Sequence, residues 1–295
     1  MRTEDPPPSR ALHFVFSAAG GLLLAFLLVP LLRMYAAQNP STILRVVGMA
    51  DVRSSVVLSL EAAFLAALAA GLLGVPLAYV LSRSAFSGKA LVEALVDLPL
   101  AIPHTVVGIA LLFVFGRRGL VGAPAASLLG LKFWGSTAGI VVCMLFVSVP
   151  YTVNSARVGF EAVDGNIERA ARMLGAGPWT VFGRVTLPLA RRGILTGLLL
   201  TFARSISEFG AVIILAYYPM TAPVKIYDLF LQSGLDESSA LAVIFLTVTL
   251  ILFVVLRQLA RGIGGPGPSG DFSRKPRPRR RGGGRCRAES GRSRI

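Results

Sequence analysis

Residues 157–193 read RVGFEAVDGNIERAARMLGAGPWTVFGRVTLPLARRG and separate two strongly apolar segments. A connection between two membrane helices can be only a few residues long, so this stretch has room for structure of its own. Gly175 is placed to end one short helix, and Pro178 to begin a second. A small apolar face recurs at helical spacing in the first helix, formed by Ile167, Ala170, Ala171 and Leu174.

The ends of these two short helices carry further signals. Asp164 or Asn166 can cap the first helix, and Glu168 lies in its first turn, where an anion complements the helix dipole. Trp179 and Phe182 give the second helix an aromatic face. Such a surface at a membrane rim is either a docking site for a partner protein or the face of a helix that lies on lipid.

The chain as a whole has the composition of an integral membrane protein. Hydrophobic residues make up 54% of its 295 residues and charged residues only 15%, against about 25% in ordinary soluble domains. The mean hydropathy is +0.68. Six segments approach the roughly 20 apolar residues that a spanning helix needs, at residues 12–34, 56–81, 95–115, 137–153, 194–218 and 241–259. We therefore predict an all-α integral membrane protein with about six transmembrane helices and a transmembrane domain at residues 12–260.

The first and the proline-containing spans leave alternatives open. The first apolar run exceeds the roughly 7–15 residues of a signal-peptide core, which favours a retained helix over a cleaved signal peptide. Prolines inside other spans indicate either broken helices that surround a path or ordinary kinks, at Pro76, Pro99, Pro103 and Pro150.

The basic residues predict the orientation. Much of the net charge of +15 lies after residue 256, and residues 261–295 are rich in Gly, Pro, Ser and Arg. We expect those residues to form a disordered cytoplasmic tail that contacts anionic membrane lipid, with no need for nucleic-acid binding. The stretch 157–193 is also basic, and two spans separate it from the tail, so both lie on the same side. This predicts a multi-pass membrane protein with residues 1–11 and the C-terminus in the cytoplasm.

The sequence contains no recognisable set of residues for catalysis or metal binding. His13 and His104 are its only histidines, and its two cysteines lie far apart, one in a span and one in the tail. A phosphate-binding loop needs Gly-x-x-x-x-Gly-Lys-Ser/Thr, but Gly88-Lys89 is followed by alanine and has Arg83 at the first glycine position. We expect a non-catalytic chain without a bound cofactor, so that any use of ATP and Mg by this route would belong to a partner.

One pattern in residues 157–193 resembles the EAA loop of the membrane permease subunits of ABC-type importers, which are served by an extracytoplasmic binding protein. It consists of Ala170-Ala171, Leu174-Gly175 and, after nine residues, Val185 and Leu187-Pro188. The family order is Glu-Ala-Ala, three residues, Gly, nine residues and Ile-x-Leu-Pro. This chain departs from it at the glutamate position, which holds Arg169 with Glu168 one residue earlier, and at the isoleucine position, which holds Val185.

The resemblance implies a type I ABC importer permease fold in which a cytoplasmic coupling helix fits a groove of an ATP-binding subunit. Small Ala170, Ala171 and Gly175 would allow close approach, while Trp179 and Phe182 would anchor the second half. The coupling residues so implied are Glu168, Ala170, Ala171, Leu174, Gly175, Pro178, Trp179, Phe182, Leu187 and Pro188. One chain has a single loop of this kind, so a homodimer with a pair of ATP-binding subunits is the expected assembly.

The second informative stretch is FARSISEFGA at residues 202–211, inside the predicted fifth span. Arg204 and Glu208 are expected near the membrane interior and on one helix face, where they can pair. The pair is either a self-neutralised lock between helices or part of a pathway or gate.

This stretch resembles the R-x-x-x-E-F-G-A segment of permeases for molybdate, tungstate and sulfate. Residues 98–108, LPLAIPHTVVG, and 216–220, AYYPM, look most like the molybdate/tungstate branch, and the likeness covers roughly residues 55–258. The pathway or gate residues so implied are Arg204, Ser207, Glu208, Phe209, Pro103 and His104. His104 is either a hydrogen-bonded packing residue or a proton relay.

The resemblance predicts an ATP-driven, binding-protein-dependent importer of tungstate or molybdate in a prokaryotic plasma membrane, with an extracytoplasmic oxyanion-binding protein as a further partner. Sulfate or another oxyanion is an alternative substrate. A stand-alone secondary transporter would need an internal repeat with paired broken helices, which the sequence does not display. A membrane enzyme would need clustered catalytic groups, which it also lacks.

Overall fold

The computed structural model describes residues 10–264, and every regular element in that range is a helix. The prediction of an all-α chain is thus confirmed for this part, while the predictions for residues 1–9 and 265–295 lie outside the described residues. The helices are α1 (Arg10–Ala36), α2 (Pro40–Gly48), α3 (Ala50–Arg83), α4 (Lys89–Ala101), α5 (His104–Phe115), α6 (Gly122–Leu129), α7 (Thr137–Glu161), α8 (Gly165–Met173), α9 (Pro178–Val181), α10 (Leu187–Ile206), α11 (Gly210–Leu215), α12 (Ala222–Ser233) and α13 (Leu235–Gly264), with a π-helical turn at Phe182–Thr186.

Five helical segments are long and apolar enough to cross a membrane. They are α1, α3, α7, the continuous stretch Pro178–Ile206 and α13, and α4 with α5 adds a sixth if that bent pair is one span. This agrees with the prediction of about six transmembrane helices. The first of them is exposed along its length in the single chain. It meets α13 through a hydrogen bond between the hydroxyls of Tyr35 and Thr247, and just after α1 the side chain of Gln38 donates to Ser239 of α13.

The predicted third span, residues 95–115, is not one straight helix. The first part, α4, ends at Ala101, and α5 begins at His104 with its axis turned by 113°. Pro103 explains the break, because it has no backbone N–H and disfavours a helical conformation at the residue before it. Ile102 is accordingly extended, with φ −83° and ψ 135°.

The predicted fifth span, residues 194–218, also needs correction. Its helix α10 ends at Ile206, and α11 begins only at Gly210. The carboxylate of Glu208 accepts a hydrogen bond of 2.9 Å from the backbone N–H of Ala211, which would otherwise lack a partner at the start of α11. Helix α11 packs along α5, so the two helices that restart inside the bundle lie side by side.

Small residues bring the long helices α3, α7 and α10 together. A Cβ on Gly193 of α10 would lie only 2.6 Å from the Cα of Gly159 on α7, so the two backbones touch there. Further along the same contact, the hydroxyls of Thr152 and Thr201 are 2.6 Å apart. Small residues and hydroxyl pairs are the usual means of holding helices together in lipid, where no hydrophobic effect drives their association.

Candidate functional site

The loop unit, residues 164–186, projects from one end of the bundle and begins with a capped helix. The side chain of Asp164 accepts a hydrogen bond of 2.8 Å from the backbone N–H of Asn166, which settles which of the two predicted candidates caps α8. The same hydrogen bond lowers the pKa of the Asp164 carboxyl below its usual value.

The loop unit turns at Gly175. This residue has a φ of +85°, in the left-handed region that glycine adopts without steric cost, and its N–H bonds to the carbonyl of Arg172. A Cβ at Gly175 would meet nothing within 4 Å, so the turn, and not close packing within this chain, requires glycine. Pro178 then occupies the first turn of α9, as the sequence indicates.

An exposed apolar surface covers the side of the loop unit that faces away from the bundle. We call it the outer face and define it by Ile167, Met173, Leu174 and Trp179, which are 48, 83, 89 and 86% exposed. Three of these residues were predicted to lie on apolar faces of the two short helices, whereas Met173 was not singled out. Exposure of several large apolar side chains on one short unit is typical of a binding surface.

Phe182 does not belong to the outer face. Its ring packs against Tyr79 of α3 at 4.9 Å and lies 6.4 Å from that of Phe160 on α7, measured between ring centroids. The prediction that it faces outward beside Trp179 is wrong, because the rings of Tyr79 and Phe160 offer Phe182 an aromatic contact on the bundle side of the loop unit.

Glu168 is likewise turned inward. Its side chain is only 6% exposed, accepts hydrogen bonds of 2.8 Å from Arg83 and 2.7 Å from Thr186, and lies 3.8 Å from Arg172. The structure therefore places this predicted coupling residue between the loop unit and the bundle. Its partner Arg83 ends α3, far away in sequence, and no local pattern identifies it.

The remaining coupling candidates divide between surface and interior. The exposed ones are Ala170, Pro178 and Pro188, and the half-buried ones are Ala171 and Leu187. The small exposed side chain of Ala170 leaves the surface of α8 open beside the outer face.

The second group of candidates meets inside the bundle. The pathway cluster consists of His104, Arg204 and Glu208, contributed by the start of α5, the end of α10 and the break after it. Nη2 of Arg204 lies 3.1 Å from Oε2 of Glu208 and 2.9 Å from each ring nitrogen of His104, and Nδ1 of His104 lies 2.8 Å from the same carboxylate oxygen.

Burial differs sharply among the three side chains. Glu208 is 1% exposed, Arg204 23% and His104 38%, so the anion lies innermost and the two nitrogen-bearing side chains face the more open side. The predicted pairing of Arg204 with Glu208 is present. The structure adds His104 as a hydrogen-bonded third member, in agreement with its interpretation as a hydrogen-bonded residue.

The other pathway candidates surround this cluster. Ser207 is exposed and accepts a hydrogen bond of 3.2 Å from Nη1 of Arg204. Phe209 packs its ring on Tyr227 of α12, and Pro103 precedes α5 and positions His104 at its start. All six predicted pathway residues therefore lie around the two helix breaks.

A bundle with two adjacent helix breaks, a charged cluster inside it and a protruding loop unit belongs to a polytopic membrane transport subunit. The family model for the binding-protein-dependent transport system inner membrane component matches residues 70–264. The chain belongs to this family.

Individual relatives agree with that assignment. A molybdate/tungstate transport system permease protein of Thermococcus kodakarensis is 44% identical over 248 residues, which cover 83% of this chain and 95% of that protein. A molybdenum transport system permease protein of Escherichia coli K12 is 39% identical over 70% of this chain and 93% of its own. The crystal structure of a bacterial alginate ABC transporter, in complex with a pentasaccharide-bound periplasmic protein, contains a chain with a TM-score of 0.71 at 17% identity, covering 87% of this chain and 96% of that one. This last likeness shows the shared fold of ABC importer permeases.

Proposed function

We propose that this chain is the membrane-spanning subunit of an ATP-driven importer for molybdate or tungstate. The observation that carries the proposal is the joint presence, in one bundle, of the outer face at one end and the pathway cluster at the helix breaks. The substrate class is supported by the relatives named above, which are molybdate and tungstate permeases.

The outer face is the surface on which an ATP-binding subunit docks, in the cytoplasm. Met173, Leu174 and Trp179 are large, exposed apolar side chains of the loop unit, and the small side chain of Ala170 lets a partner approach α8. The chain has no phosphate-binding loop of its own, so the partner uses ATP and Mg and this subunit is not an enzyme.

The assembly is a homodimer, with one loop unit per chain and therefore two docked ATP-binding subunits. A groove of 780 Å³ lined by α3, α10 and α13 supports this, because it contains the exposed carboxylate of Glu61 among apolar side chains. An ionisable group facing lipid is costly, and a second copy that covers the groove removes it from lipid.

The pathway cluster places the cationic side chain of Arg204 on the translocation pathway. In the absence of substrate, Glu208 neutralises that charge. An oxyanion that arrives from an extracytoplasmic binding protein finds the guanidinium of Arg204, the imidazole of His104 and the hydroxyl of Ser207 on the open side of the cluster. It competes with Glu208 for these groups, so the anion is held weakly enough to pass on. The binding protein sets most of the selectivity.

Uptake into proteoliposomes tests this proposal. The chain is reconstituted with its cognate ATP-binding subunit and binding protein, and uptake of molybdate, tungstate and sulfate is measured with ATP, without ATP, and with a partner that cannot hydrolyse ATP. We expect ATP-dependent uptake of molybdate or tungstate that excess sulfate inhibits poorly. Preferred uptake of sulfate would mean that sulfate, and not molybdate or tungstate, is the substrate. Uptake by this chain alone without ATP would favour a secondary transporter.

A further inference from the structure

We propose that Glu168 is a positioning residue that ties the docked loop unit to the near ends of α3 and α10, so that movement of the ATP-binding partner reaches the pathway cluster. The inference rests on the proposed function, since it needs a partner that moves the loop unit. It concerns the inner side of that unit, opposite the outer face.

The contacts of Glu168 join three parts of the chain. Oε1 accepts hydrogen bonds from Nη2 of Arg83, the last residue of α3, and from Oγ1 of Thr186, the residue before α10. The same Nη2 also donates at 3.3 Å to the carbonyl of Val163, which follows α7. One carboxylate therefore connects the first turn of α8 to the ends of the two membrane helices that flank it in space.

This connection is short and desolvated, which makes it stiff. Thr186 is fully buried and the Glu168 side chain is 6% exposed, so neither can exchange its partner for water without opening the structure. A carboxylate buried this far stays in place only while its charged and hydroxyl partners stay with it. A displacement of α8 must therefore move Arg83 and Thr186 along with it.

The two helices tied in this way both lead to the pathway cluster. From Thr186, α10 runs about 27 Å to Arg204 at 1.5 Å per residue. From Arg83, α3 runs back to Ser59, whose Oγ accepts a hydrogen bond of 2.7 Å from the N–H of Ala222 at the start of α12. Phe209, next to Glu208, packs on Tyr227 of α12. The far ends of both helices thus meet the elements that hold the cluster.

The neighbouring position shows that the inward contact is specific to Glu168. Arg169 is exposed and donates a hydrogen bond to Asn166 within the same helix. The glutamate in the register of the EAA loop is thus replaced by an exposed arginine, and the glutamate one residue earlier is buried. Arg169→Gln supplies a matched control, since it also removes a charge from α8 but touches no membrane helix.

A second, apolar contact keeps the loop unit in place when the polar one is removed. Phe182 packs against Tyr79, one turn before Arg83, and near Phe160. Variants of Glu168 are therefore expected to fold and dock their partner, which allows docking and coupling to be measured separately.

The experiment uses the full transporter in proteoliposomes and measures three quantities for each variant. They are the affinity of the permease for the ATP-binding subunit, the rate of ATP hydrolysis, and the number of molybdate ions imported per ATP. For Glu168→Gln we expect unchanged affinity, continued hydrolysis and a fall of about tenfold in import per ATP, within the usual range of coupling between distant sites. Arg169→Gln should match the wild type in import per ATP.

Two further variants test the mechanism. Thr186→Val removes one hydrogen bond without leaving a charge, so it should lower import per ATP even if Glu168→Gln proves too unstable to purify. In the double variant Arg83→Gln/Glu168→Gln, no buried charge lacks its partner, and import per ATP should be no lower than in Glu168→Gln alone.

Import per ATP at the wild-type level in both Glu168→Gln and Thr186→Val would overturn the inference. So would a loss of affinity for the ATP-binding subunit as large as that of Trp179→Ala, because Glu168 would then belong to the docking contact. Absence of ATP-dependent uptake by the wild-type transporter would instead contradict the proposed function, and the two failures are thereby distinguished.

Discussion

Gly210 and His104 meet where two broken helices restart: a Cβ added at Gly210 would lie 2.7 Å from the Cβ of His104. Helix α11 begins at the first residue and α5 at the second, so the two helix starts touch without room for one further methyl group. The geometry of the pathway cluster depends on this contact, since His104 reaches Glu208 only while α5 and α11 stay together.

Gly210→Ala should therefore open the cluster. Overpacking at a tight contact costs roughly 1–3 kcal/mol, and here the shift would move His104 away from Glu208. We expect a lower unfolding midpoint in detergent and reduced uptake, with the affinity for the ATP-binding subunit unchanged. Gly48→Ala at the end of α2, where a Cβ meets nothing within 4 Å, is the control and should behave like the wild type. Equal stability of the two variants would contradict the close contact.

Glu208→Gln should destabilise the bundle because it removes the buried negative charge that lies opposite Arg204. The carboxylate is 1% exposed and lies opposite Arg204 and His104, while the amide that replaces it can still accept the hydrogen bond from Ala211. Removing one partner of a buried pair costs about 3–5 kcal/mol.

The measurement for this pair is a double-mutant cycle by denaturant unfolding in detergent. The double variant Arg204→Gln/Glu208→Gln should be more stable than Glu208→Gln, because it contains no unpaired guanidinium. Strict additivity of the two single changes would mean that the observed contact contributes no coupling energy.

Sequence predicts the local features of this protein better than the distant ones. The cap at Asp164, the turn at Gly175 and the helix start at Pro178 depend on neighbours within a few residues, and each lies where its signal indicates. The number of spans can also be predicted, because hydropathy is a property of each contiguous segment of sequence. By contrast, Arg83 lies 85 residues from its partner Glu168 in sequence, and Glu208 lies 104 residues from His104.

The helix breaks show why the rest could not be predicted. The chain is apolar on both sides of each break, so residues 95–115 and 194–218 read as single spans. Pro103 marks the first break, but nothing local marks the 113° turn, which follows from the packing of α5 on α11. The inward direction of Phe182 depends on its contacts with Tyr79 of α3 and Phe160 of α7, which no local sequence signal indicates.

Gly175→Ala should weaken the loop unit through backbone strain alone. Its φ of +85° costs an alanine about 1 kcal/mol, whereas asparagine tolerates this region better. We expect Gly175→Ala to lower both the affinity for the ATP-binding subunit and uptake, and Gly175→Asn to do so less. Because a Cβ there meets nothing within this chain, a larger loss with asparagine would mean that the partner packs on Gly175 itself.

The two aromatic residues of the second short helix should have opposite phenotypes. Trp179 is 86% exposed, so Trp179→Ala should leave the unfolding midpoint of the isolated permease unchanged. It should weaken binding to the ATP-binding subunit at least tenfold, because a tryptophan at an interface often contributes much of the binding energy. Phe182 is half-buried between Tyr79 and Phe160, so Phe182→Ala should destabilise the permease by about 2 kcal/mol, less than the loss for a fully buried phenylalanine. Thermal unfolding in detergent and a binding titration on the same two variants separate the effects. If Phe182→Ala weakened docking with no loss of stability, the ring would face the partner, and its inward orientation would be refuted.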